Sequence, residues 1–111
     1  MISPTLEVSF FKTDGGTEPV RDWLRELSAI ERKSIGEDIK TVQFGWPLGM
    51  PLVRKLDKDL WEIRIHLENR IARVLFTVSV AKIVLLHGFI KKSQATPKHD
   101  RELAIDRMRG K

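Results

Sequence analysis

The stretch from Leu60 to Lys92 constrains this chain more than any other. Leu60-Trp61-Glu62-Ile63-Arg64-Ile65-His66 is answered by Arg73-Val74-Leu75-Phe76 and then by His87-Gly88-Phe89-Ile90-Lys91-Lys92. Short runs rich in β-branched and aromatic residues, separated by turn residues, predict three consecutive strands. Each run carries a cation, and a soluble domain rarely places arginine inside an apolar strand without a use for it.

Strand alternation fixes how the first two runs must register. Trp61, Ile63, Ile65 and Leu67 share one face, opposite Leu60, Glu62, Arg64 and His66. Ala72, Val74, Phe76 and Val78 share a face, opposite Ile71, Arg73, Leu75 and Thr77. A tight turn at Asn69-Arg70 brings the two apolar faces together, whereas a one-residue slip would put Trp61 and Phe76 on opposite sides. In this register Glu62, Arg64, His66 and Arg73 gather on the other face. That face is expected to lie open in a groove, away from the helix-covered core. The third strand, near Ile83 to Ile90, is apolar on both faces and therefore central. One of Lys91 and Lys92, at its end, should reach the cationic face.

The rest of the chain supplies the layer beneath. Leu6, Val8 and Phe10 alternate as in a half-buried strand, ended by Asp14-Gly15-Gly16. Thr17 before Glu18-Pro19 suggests an N-cap with proline in the first turn. Val20, Trp23, Leu24 and Leu27 follow at helical spacing. Ser28-Ala29-Ile30-Glu31 has the form of a capping box, opening a second helix through Ile35, Ile39 and Val42. The two form a helical hairpin laid on the sheet, with Trp23 and Trp61 in the core. Trp46, in the turn-rich connector from Gly45 to Pro51, plugs the sheet edge or stacks a base; the plug is favoured. Thr96-Pro97 offers another N-cap and first-turn proline. The last helix has only a thin apolar stripe of Leu103, Ala104 and Met108, so it is expected to be mobile or docked on a partner. With no repeat and no linker composition, residues 1–111 read as one domain.

Composition narrows the function. The 111 residues hold 20 Lys/Arg against 15 Asp/Glu, and the excess is uneven. Residues 1–53 carry six basic and eight acidic side chains, while residues 54–111 carry fourteen and seven. The basic half is the half with the cationic strands, which points to an acidic partner, most often nucleic acid. The chain has no cysteine, so there is no thiol nucleophile and no Cys-ligated metal. No tight Asp/Glu/His cluster suggests a metal site, and no cofactor is called for. No stretch is apolar enough to span a membrane and the start lacks a signal-peptide pattern, which fits a cytoplasmic protein.

Arg64 and Arg73 on neighbouring strands can grip a phosphate from two sides, because guanidinium forks match phosphate oxygens. Such donors also stabilise the charge of a pentacoordinate transition state. Lys91 or Lys92 can support the leaving oxygen. A histidine exchanges protons near neutral pH, so His66 is a candidate acid or base. Glu62 can act as a base or pair with Arg64 or Lys55. Lys55, Lys58, Arg70 and Lys98 are candidate contacts to the RNA backbone. RNA carries its own nucleophile in the 2′-hydroxyl, so a site that aligns it and stabilises charge needs neither metal nor protein nucleophile. The competing reading of Glu62 and Arg64 is a surface cross-strand pair of little weight. His87, by its parity with Ile83, Leu85 and Phe89, reads as a satisfied structural histidine, and His99 as solvent-exposed.

Leu60-Trp61-Glu62-Ile63-Arg64, Arg73-Val74-Leu75-Phe76, Leu85 to Ser93 and Thr96-Pro97, preceded by Lys55-Leu56, together resemble the HigB-like, phage-derived branch of the RelE/ParE type II toxin superfamily. The resemblance runs from about Val20 to Ala104. It implies an α+β RelE-like microdomain, β-α-α-β-β-β with a C-terminal helix, whose mainly antiparallel sheet packs on a helical hairpin. It implies the toxin of a toxin–antitoxin pair that acts as a ribosome-dependent, metal-independent mRNA endonuclease and inhibits translation, partnered by a helix-turn-helix antitoxin. Arg64 and Arg73 fall where such nucleases keep basic residues, and Lys91 or Lys92 falls near a third. Many of those nucleases use a C-terminal tyrosine to stack a base; this chain has no tyrosine. The alternatives are a ParE-like gyrase inhibitor without catalysis and an inactive partner-binding module, since one fold serves all three.

Overall fold

Trp61 lies opposite Phe76, Ile63 opposite Val74 and Ile65 opposite Ala72, as the matching of apolar faces requires. This is the register in the computed structural model, which describes residues 6–92 and 95–110. Among the described residues eight elements follow in order: β1 (Glu7–Phe10), α1 (Pro19–Arg25), α2 (Ala29–Gly45), β2 (Val53–Asp57), β3 (Leu60–His66), β4 (Ile71–Ser79), β5 (Lys82–Ile90) and α3 (Lys98–Met108). The sheet runs β1-β5-β4-β3-β2. Only β1 is parallel to its neighbour, and the other pairings are antiparallel. The α+β class and the RelE-like order are as expected. The additional strand β2 was not legible, because Val53-Arg54-Lys55-Leu56-Asp57 has one buried residue and little alternation.

The sheet has two covered faces, and this decides where the site lies. On one face Ile63, Ile65, Val74, Phe76, Ile83 and Leu85 pack against Val20 of α1 and Ile35, Ile39 and Val42 of α2. Burying each such side chain contributes about 1.5–3 kcal/mol. Trp46 closes this core edge-on to Trp61, with ring centroids 4.9 Å apart, so it serves as the plug. On the opposite face Leu60, Leu75 and Leu86 pack against Ala104, Ile105 and Met108 of α3. That second core explains why β5 is apolar on both sides. It also corrects two expectations: α3 docks on its own sheet, and the cationic face is helix-covered rather than open.

Local details shift three assignments. Glu18, not Thr17, is the N-cap of α1, with Pro19 in the first turn. Pro97, not Thr96, caps α3, and the Thr96 hydroxyl is used elsewhere. Ser28 behaves as expected, its Oγ accepting from the Glu31 N–H at 3.1 Å. A register shift then puts Leu85 opposite Phe76 but His87 opposite Leu75, leaving Leu86 as the extra residue of a β-bulge. Beyond it β5 changes parity. His87 and Phe89 therefore face α3, and do not share a side with Ile83 and Leu85. The β4–β5 hairpin turns through Val80 and Ala81, both with positive φ, at 39° and 63°.

Candidate functional site

The site is built where β3, β4 and the end of β5 run side by side. Arg64 and Arg73 are directly opposite one another in the ladder. Lys91 follows β5, and its backbone N–H donates to the Ile71 carbonyl at 2.7 Å, which fixes it beside the start of β4. Lys91 is the lysine that reaches the cationic face. Partial burial first, and then the guanidiniums of Arg73 and Arg64, push its ammonium below the ordinary lysine range, with Glu62 opposing them. Lys92 is exposed and opens into a separate cleft, lined by Trp23, Arg70, Phe89, Pro97 and Asp100.

The cluster has a buried floor and a half-buried rim. Glu62 is 0% exposed and Arg73 only 1%. Arg73 Nη1 donates to Glu62 Oε2 at 3.3 Å and to Thr96 Oγ1 at 2.8 Å, while the Thr96 hydroxyl donates to Glu62 Oε2 at 2.5 Å. Glu62 is thus the partner of Arg73, in place of Arg64 or Lys55. Arg64 is half-buried, and its Nε has no hydrogen-bond partner among the described residues. An orphaned donor beside two other cations is a place for an anion, since unpaired buried donors are costly.

The other candidates scatter. His66 is exposed at the end of β3, and the charge it faces is Asp38 on α2, whose carboxyl is raised chiefly by burial and held back by His66. Lys55 pairs with Trp61 and stands 5.9 Å over its ring, on the face away from Arg64. Arg54, opposite Glu62, shares the cationic side instead; its signal was hidden with the unrecognised strand β2. Lys58 lies in the β2–β3 turn, before β3 begins at Leu60, and Arg64 is four residues or about 13 Å further along that strand. Arg70 makes a two-pronged pair with Glu31, both contacts 2.9 Å, on the α2 side. Lys98 is exposed at the first position of α3. The RNA contacts anticipated at Lys55, Lys58 and Arg70 therefore do not converge with Arg64 and Lys91.

His87 is held by α3. Its Nε2 lies 2.6 Å from Asp100 Oδ1 and its Nδ1 faces Arg107 Nη1 at 3.5 Å. Both ring nitrogens are occupied, as for a structural histidine. Burial lowers its pKa, and Asp100 opposes the shift. His99 is exposed. Among the described residues there is no group of His, Cys, Asp or Glu that could hold a metal, and no helix long and apolar enough to cross a membrane.

The family model described as Phage derived protein Gp49-like (DUF891) matches residues 22–109. The chain belongs to that family. Gp49-like proteins are a RelE/HigB-like toxin family of toxin–antitoxin systems. The match spans α1 to α3 and so takes in Glu62, Arg64, Arg73, Lys91 and Thr96 of this Gp49-like chain. The comparison with curated proteins found no match.

Proposed function

We propose that this chain is the single-domain toxin of a type II pair, of the HigB-like kind, and cuts messenger RNA on the ribosome. The observation that carries the reading is the convergence of Arg64 and Lys91 at the rim above Arg73. Arg64 and Lys91 bind the scissile phosphate. The RNA 2′-oxygen forms a bond to the adjacent phosphorus as the bond to the 5′-oxygen breaks. The 2′-hydroxyl gives up its proton, and the leaving 5′-oxygen takes one up. The products are a 2′,3′-cyclic phosphate and a 5′-hydroxyl. Arg64 and Lys91 stabilise the added negative charge of the pentacoordinate state, and alignment of the 2′-oxygen supplies the rest. A helix-turn-helix antitoxin is the expected partner.

The test is inducible expression with mapping of RNA 5′ ends. The reading expects growth arrest with new 5′ ends inside translated frames, both abolished by Arg64→Ala with Lys91→Ala. Growth arrest that survives this double substitution, or that arises from DNA supercoiling defects with intact mRNA, overturns it.

A further inference from the structure

Three cations on one patch create a physical problem. Arg64 and Arg73 stand directly opposite on neighbouring strands, where like charges repel. Lys91 adds a third positive charge within electrostatic reach of both. Side chains so placed would splay into water unless something held them. Glu62 is a carboxylate that opposes the two guanidiniums at Lys91, and it is fully buried.

The geometry around Glu62 has the form of a clip. The Thr96 hydroxyl uses both of its roles, accepting from Arg73 and donating to Glu62, across 23 and 34 residues of chain. Thr96 is itself buried, at 7% exposure. Lys91 and Thr96 are therefore each tied to β4. Lys91 is fixed on Ile71 through the backbone, and Thr96 on Arg73 through its side chain.

We propose that Glu62 and Thr96 are positioning residues, which fix the Arg73 guanidinium on the inner side of the patch so that the Lys91 ammonium, tied to β4 through its own backbone, is held beside Arg64 at the phosphate site. This rests on the nuclease reading above. Arg73 is then the inner member of the site: it shapes the field without touching substrate. Glu62 cancels one of the three cations. The remaining excess matches a phosphodiester whose negative charge grows as it becomes pentacoordinate.

The test uses the whole chain with Thr96→Val, which keeps the shape and loses both hydrogen bonds, Thr96→Ser, which restores the hydroxyl, and Glu62→Gln. Two quantities are read: titration of the Lys91 ammonium by NMR in free protein, and kcat and KM for cleavage on programmed ribosomes. Thr96→Val is expected to raise the Lys91 titration toward that of an ordinary lysine. It should lower kcat on the order of 10-fold with KM little changed, the mark of an interaction needed in the transition state. Thr96→Ser recovers both. Glu62→Gln removes the opposing charge and moves the Lys91 titration further down, and it serves if Thr96→Val does not fold. Wild-type Lys91 titration in both Thr96→Val and Glu62→Gln, or a loss in Thr96→Val that Thr96→Ser does not restore, overturns the proposal. If the titration responds as expected but wild-type protein cuts no RNA, the positioning stands and the nuclease reading falls.

Discussion

Replacing Arg73 by Met should be the most damaging single change in the sheet. Arg73 and Glu62 are both essentially sealed from solvent, and Arg73 Nη1 donates to Glu62 and to Thr96. Arg73→Met keeps a long apolar side chain at the position, so little packing is lost. What it leaves is a carboxylate buried with only the Thr96 hydroxyl as its described partner. Breaking a buried ion pair from one side costs about 3–5 kcal/mol. Native stability for a chain of this length is about 5–15 kcal/mol, so roughly a fifth or more of it would go. The expected fall in Tm is on the order of 10 °C or more. The companion is Arg73→Met with Glu62→Met, which removes both charges and restores most of the loss, because an apolar pair of similar volume replaces two desolvated ions. Urea unfolding followed by circular dichroism checks both. A loss below about 1 kcal/mol for the single variant would refute the burial argument. So would a double variant no more stable than the single one.

Three further outcomes are expected. Gly88→Ala would place a Cβ 2.3 Å from Trp23 Cε3, so the indole must leave its seat on β5; a loss of about 1–3 kcal/mol in urea unfolding is expected. Val80→Asn with Ala81→Gly should stabilise the β4–β5 hairpin by about 1–2 kcal/mol, because both residues sit at positive φ where Val and Ala are strained. The folded pKa of His87 is lowered by burial, so the unfolded chain takes up this proton first as pH falls. Its contribution is complete above the unfolded histidine value of about 6.5 and is lost as pH drops below it. The acid-side loss of Tm should therefore shrink in His87→Gln, measured by thermal melts across that range.

Much of the architecture was written in short-range patterns. Alternation in residues 60–67 and 71–78 pointed to the β3–β4 register, since a one-residue slip would have put Trp61 and Phe76 on opposite sides of the sheet. The serine of the capping box at Ser28 and the apolar stripe Ile35, Ile39, Val42 determined α2 in the same way. Arg73 in an apolar strand was correctly marked as unusual. The charge asymmetry placed the basic residues in the half that holds the cationic cluster.

What the pattern did not contain was the second core. Alternation says that two faces differ; it does not say that the less apolar one is uncovered. The few apolar residues of α3 suffice because Leu60, Leu75 and Leu86 wait for them on the sheet. Polar ties at Thr96, Asp100 and Arg107 add the rest. The bulge at Leu86 reversed the side taken by His87, and no sequence periodicity survives an inserted residue. Sequence alone thus determined which strands pair and that arginines sit among them. The tertiary structure decided that Glu62, Arg73 and Thr96 form a sealed floor while Arg64 and Lys91 form the rim. The physical reason is separation along the chain: Thr96 lies 34 residues from Glu62, and a hydrogen bond across that distance leaves no periodic trace.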